Sequence, residues 1–92
     1  MAHFAQVQDG IVTSVFVVNN DDCGGGDFPA SEPIGQTFLA ECGIPGDFLQ
    51  CSYSGSFRGA YPGPGWTWTA KPRTKDGGIF QPPVNPVVTA TP

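Results

Sequence analysis

The chain has 92 residues, including thirteen Gly and ten Pro, and carries a net charge of −4 with only four Lys and Arg. That length allows one domain. So few basic residues exclude a phosphate-neutralising nucleic-acid face and an anionic membrane surface, and no apolar run approaches a membrane span.

The N-terminus, Met-Ala-His-Phe-Ala-Gln, has neither a charged n-region nor an apolar h-region. The expectation is a chain made in a cytosol and not exported by a signal peptide. Residues 3–18 read as a β-hairpin. Ala5 and Val7 alternate with Gln6 and Gln8, and Asp9-Gly10 supplies the positive φ pair that a type I′ turn needs. The return strand, Ile11 to Val18, is β-branched and mostly apolar. Its second half is apolar on both faces, so Val15 to Val18 call for cover on two sides, from this chain or another.

Asn19 to Ala30 reads as a loop, because Asn, Asp and a Gly triplet favour turns over regular elements. Asp21, Asp22 and Asp27 lack the alternate spacing of a calcium loop. The glycines lack the Lys-Ser/Thr of a phosphate loop. Ser31 to Gly43 is the one helix candidate, with Ser31 as N-cap, Glu32 at the positive end and Pro33 in the first turn. Ile34, Phe38, Leu39 and Cys42 form its expected packing face. Gly43 and Pro45 stop it, and Gly35 weakens it by roughly 0.5–1 kcal/mol relative to Ala.

Asp47 to Pro83 holds both Trp, both Tyr and most of the Gly-Pro punctuation. Phe48 to Tyr53 alternates as a strand, with Phe48, Gln50 and Ser52 opposite Leu49, Cys51 and Tyr53. Ser54-Gly55 turns the chain, Phe57 to Tyr61 is a short extended piece, and Pro62 to Gly65 bends it. Trp66 to Thr69 and Gly78 to Gln81 form a second hairpin across a polar loop. Beyond it, residues 84–92 read as a Pro-rich extended arm. Val87 to Thr91 is a strand-capable segment that either frays or adds to the edge of a neighbouring sheet.

Catalytic chemistry is hard to assemble from these residues. His3 is the only histidine and sits on a terminal strand, a poor place to hold a general base. Asp47, Glu32 and Glu41 are not placed to pair in an evident pocket. Cys23, Cys42 and Cys51 are odd in number and match no zinc spacing, so they read as thiols behaving as small hydrophobes. The expectation is no catalytic residue, no cofactor and no metal site. Arg58 is either an ion pair with Asp47 or Glu41 or a contact to a partner. Trp66 and Trp68 either form the core or present a surface to a partner or a sugar, with the core role favoured. The candidate partner interface comprises Phe57, Arg58, Tyr61, Trp66, Trp68, Phe80, Val87 and Val88.

Several stretches resemble a group of small proteins of tailed bacteriophages, most abundant in cyanophages. They are Met-Ala-His-Phe-Ala at the start, Ile11-Val12-Thr13 with Val15 to Asn19, Cys51-Ser52-Tyr53-Ser54-Gly55, and the run from Phe57 to Gly65. Trp66 to Thr69 and Phe80-Gln81-Pro82-Pro83 follow. The resemblance covers most of the chain and departs at the Gly-rich loop 23–26 and the Val-rich tail. It implies a phage origin and a virion component made in the host cytoplasm. It carries over no activity and no functional residue.

These readings combine into one set of expectations. The fold is mainly β, a small sheet or sandwich of short antiparallel hairpins with one short helix and irregular Pro/Gly-rich arms. Residues 1–83 form the domain and residues 84–92 the arm. A domain this small buries only roughly 60–65% of its unfolded surface, so partners help to stabilise it. The expected role is a non-enzymatic capsid cement or decoration protein bound to major capsid subunits or other virion proteins. It is expected to be a homo-oligomer or to order only in the assembly. The alternative is a tail, baseplate or fibre accessory protein that contacts other tail proteins or host-surface glycan.

Overall fold

The computed structural model describes residues 1–83. The expected arm at 84–92, with Val87 and Val88, lies outside the described residues. Within them the protein is mainly β. Five strands form one antiparallel sheet: β1 (Ala2–Gln8), β2 (Ile11–Val18), β3 (Asp47–Cys51), β4 (Thr67–Ala70) and β5 (Gly78–Gln81). Their order across the sheet is β3-β1-β2-β4-β5. A 3-10 turn at Asn20–Cys23 and one helix, α1 (Ser31–Glu41), lie between β2 and β3.

The first hairpin forms as its sequence requires. Asp9 and Gly10 both adopt positive φ, at 53° and 79°, the pair a type I′ turn demands. Ala2 pairs with Val18 and Gln8 with Ile11, and the register slips between Gln6 and Val7. The slip is a bulge at Thr13, whose Oγ1 donates to the Gln6 carbonyl at 3.2 Å. β3 adds to the other side of β1, with His3 opposite Cys51 and Val7 opposite Asp47.

Period-two alternation then sorts the side chains onto two covered faces. On one face Ala2, Phe4, Val18, Phe48 and Leu39 of the helix form a core cluster with Cys23. On the other, Ala5, Val7, Val12, Cys51 and Phe80 form a second cluster, with Tyr61, Trp66 and Trp68 packed against it. The helix therefore covers one face of the sheet and the aromatic C-terminal stretch covers the other. Both Trp side chains pack against this second cluster and stay half-buried.

The helix departs from its expected geometry in two ways. Its buried residues are Ser31, Gly35 and Leu39, while Ile34 is 46% exposed and Cys42 is exposed. The reason is Phe4. A Cβ on Gly35 would lie 2.6 Å from the Phe4 Cε1 atom, so the helix lays its bare glycine backbone on that ring. The residue that weakens the isolated helix thus sets its rotation on the sheet. Ser31 is also not the N-cap. Ala30 occupies that position with no side-chain cap, and the Ser31 hydroxyl is drawn inward to donate to Gln50 Oε1 at 2.8 Å.

Candidate partner interface

Arg58 determines which sheet edges are closed. It is buried, at 7% exposure, and pairs with Glu32 of the helix first turn. This replaces the expected partners Asp47 and Glu41, which sit at the wrong end of β3 and at the helix C-terminus. Its Nη2 donates to Glu32 Oε1 at 3.1 Å, Nη1 to the Gln50 carbonyl at 3.1 Å and Nε to the Asp76 carbonyl at 2.8 Å. The guanidinium carbon lies 4.8 Å from the Phe28 ring centre and 5.0 Å from that of Trp68, both within cation–π range. A planar fork of donors satisfies these acceptors together, which an ammonium could not do. The φ of Arg58 is +58°, a left-handed conformation unusual for a non-Gly residue that the surrounding contacts hold in place.

A strand edge with free N–H and C=O groups invites another chain to pair with it. On β3, Gln36 Nε2 donates to the Phe48 carbonyl at 2.6 Å, the Gln50 N–H donates to Glu32 Oε2 at 2.7 Å, and Arg58 covers the Gln50 carbonyl. On β5, Gly59 bridges Phe80 in parallel, and the Phe80 N–H donates to the Arg58 carbonyl at 3.0 Å. The two ends of the sheet are therefore joined through Arg58 rather than through a sixth strand.

β2 differs. Its pairing with β4 is confined to Ile11 opposite Thr67. Flanking hydrogen bonds join Val12 N to Trp66 O at 2.7 Å and Gly65 N to Val12 O at 2.8 Å. Past Val12, no hydrogen bond among the described residues reaches the outer edge of Ser14–Val18. This stretch holds no charge and no proline, the two devices that most simply protect an edge. Val18 is buried and Phe16 stacks edge-on against Phe48 at 5.7 Å, but Val17 is 55% exposed. Both faces are covered at Val15, Phe16 and Val18 but not at Val17, and cover on the edge is what the described residues lack.

The candidate interface residues fall into two groups. Arg58 and Phe80 are buried inside the domain, which removes them from any contact surface of the folded chain. Their burial follows from the ion pair and from the Trp68–Phe80 contact at 4.9 Å. Phe57, Tyr61, Trp66 and Trp68 are half-buried. Phe57 stacks on Phe28 at 3.9 Å. The open β2 edge falls on Val15–Val18, the apolar run whose sequence calls for cover on two sides.

A second feature is a cleft of about 450 Å³ where β1 begins and β3 ends, lined in part by His3, Asp27, Phe28, Cys51, Tyr53 and Ser56. Tyr53 is 73% exposed and stacks on His3 at 5.5 Å. The hydroxyls of Ser54 and Ser56 lie 2.8 Å apart beside it. His3 is held below its ordinary pKa, first by burial and then by the N-terminal charge. Burial pushes the Cys51 thiol up to about 12, against the lowering effect of Arg58, so it has no thiolate character near neutrality. Among the described residues no group of three or more His, Cys, Asp or Glu is arranged to hold a metal. No helix among them is long and apolar enough to cross a membrane.

Comparison with protein-family models, curated proteins and solved structures finds no match to this chain.

Proposed function

We propose that the protein is a non-enzymatic virion structural protein of a tailed bacteriophage, acting as a capsid cement or decoration protein bound to major capsid subunits. The observation that carries this reading is the unprotected β2 edge at Ser14–Val18. Main-chain pairing at such an edge gives affinity with little demand on the partner's sequence, and the alternate side chains add specificity. The resemblance of the Met-Ala-His-Phe-Ala start and the Phe57–Gly65 run to small phage proteins points the same way. Quantitative mass spectrometry of purified virions tests it. A copy number comparable to that of the major capsid protein is expected, and complete absence from the particle refutes it.

A second reading is favoured by the cleft. There, an exposed Tyr53 ring beside serine hydroxyls could stack on a sugar. That would suit a tail, baseplate or fibre accessory protein contacting host-surface glycan. Tyr53 takes the part considered for Trp66 and Trp68, whose rings are engaged in the core. A tail-like copy number, with glycan binding abolished by Tyr53→Ala, would replace the capsid assignment with this one.

A further inference from the structure

We infer that the open edge of β2 is filled by the C-terminal segment Val87–Thr91 of a second copy of this chain, in a reciprocal two-fold exchange. This rests on the reading of that edge as a docking strand and makes the docked strand a second copy's, so that the dimer, and not the bare edge, is what meets the capsid.

The direction in which the chain leaves the domain carries the argument. Gln81 pairs with Thr67, and Thr67 pairs with Ile11. Both pairings are antiparallel, so β5 runs in the same direction as β2, one strand removed from it. β5 therefore points along the side of Ser14–Val18 where it ends at Gln81. Continued straight from Gln81, an arm of the same molecule would run one strand spacing, about 4.8 Å, beyond pairing distance from β2. It would also have to pair parallel to β2, the slightly weaker mode. To pair antiparallel it would first have to reach the level of Val18. That is seven residues along β2 from Ile11, about 23 Å of strand. The five residues 82–86, three of them proline, span only about 16 Å at polyproline rise.

A two-fold axis beside the open edge removes both difficulties. It places the second copy's β5 in the lane next to β2, beyond Val18 and pointing back toward Ser14. Its arm then continues straight into antiparallel pairing, and the first copy's arm does the same on the other β2. The interface is isologous, as closed dimers require. Acceptor and donor also match in chemistry. Ser14-Val-Phe-Val-Val and Val87-Val-Thr-Ala-Thr are each five residues, uncharged and rich in β-branched side chains. Pro82, Pro83 and Pro86 fall in the connecting stretch, outside the segment whose N–H groups must pair.

The test uses the full chain and its Val88→Pro variant, which removes a ladder donor outside the described core. Light scattering gives the mass of each, and hydrogen exchange reports the amides of Ser14–Val18. The expected result is a dimer with slow exchange at those amides. Val88→Pro should fall to the monomer mass and lose that protection, with β1 and β3 protection retained. A full chain that is monomeric at every concentration overturns the inference. So does a Val88→Pro dimer that keeps Ser14–Val18 protected. A monomer whose Ser14–Val18 amides are protected only while Val88 is intact shows the arm closing on its own chain, and also overturns it. Virion incorporation read separately keeps the two ideas apart. A dimer that is absent from particles defeats the virion assignment alone, and a monomer abundant in particles defeats the exchange alone.

Discussion

Replacing Arg58 with Met should strongly destabilise the domain. The substitution keeps most of the aliphatic stem but leaves the Glu32 carboxylate, at 16% exposure, without its counter-ion. The Gln50 and Asp76 carbonyls lose their guanidinium donors at the same time. Removing one member of a buried pair costs about 3–5 kcal/mol, mainly because the other charge stays buried. A chain of this length is expected to have a total stability of about 5–14 kcal/mol. At about 4–8 °C per kcal/mol for a domain of this size, the melting temperature should fall by at least about 12 °C. Calorimetry or thermal circular dichroism reads the shift. The companion variant Glu32→Leu/Arg58→Met removes both charges and should recover a substantial part of the loss. A single Arg58→Met variant that melts within a few degrees of the parent would refute the reasoning. So would a double variant no more stable than the single, since the penalty is ascribed to the stranded carboxylate.

Gly35→Ala should destabilise by about 1–3 kcal/mol in denaturant titration, because the added methyl meets the buried Phe4 ring; stabilisation, as helix propensity alone would give, would contradict the packing. Thiol labelling of the native protein near neutral pH should modify Cys42 readily, while Cys23 and Cys51 react only after unfolding, because both are buried and their thiols are pushed up. The folded state holds the Cys51 proton more tightly than the unfolded state does. Its stabilising contribution is therefore intact below the ordinary thiol value of 9.0 and is lost as pH rises toward about 12. Cys51→Ala should flatten alkaline denaturation over that window, and an unchanged pH profile would show that the thiol is not its source. His3 has the opposite sign. Its lowered pKa makes its contribution present above 6.5 and lost as pH falls, a small acid-side loss that His3→Phe should remove.

Much of this protein follows from local chemistry that any segment carries with it. Asp9-Gly10 dictates a turn by its backbone freedom, and the flanking alternation dictates the hairpin. Gly78–Gln81 is legible as a strand, and Gly43 with Pro45 ends the helix. The faces of β3 follow from period two alone, with Phe48 toward the helix and Cys51 toward the aromatic cluster. What the sequence could not supply was anything set by residues far apart in the chain. Phe4 and Gly35 decide the helix rotation across thirty-one positions, so of the face given by the helical period Phe38 and Leu39 pack on the core while Ile34 and Cys42 lie outside it. Glu32 and Arg58 meet across twenty-six positions, and only the folded chain brings them within reach. The open edge of β2 is of the same kind. Val15–Val18 announces that it needs neighbours, but which side lacks one depends on β4 leaving β2 after a single paired residue. Short-range preferences fix turns, strands and faces because neighbouring residues are held together covalently. Edges, ion pairs and close approaches exist only once the whole chain has closed around them.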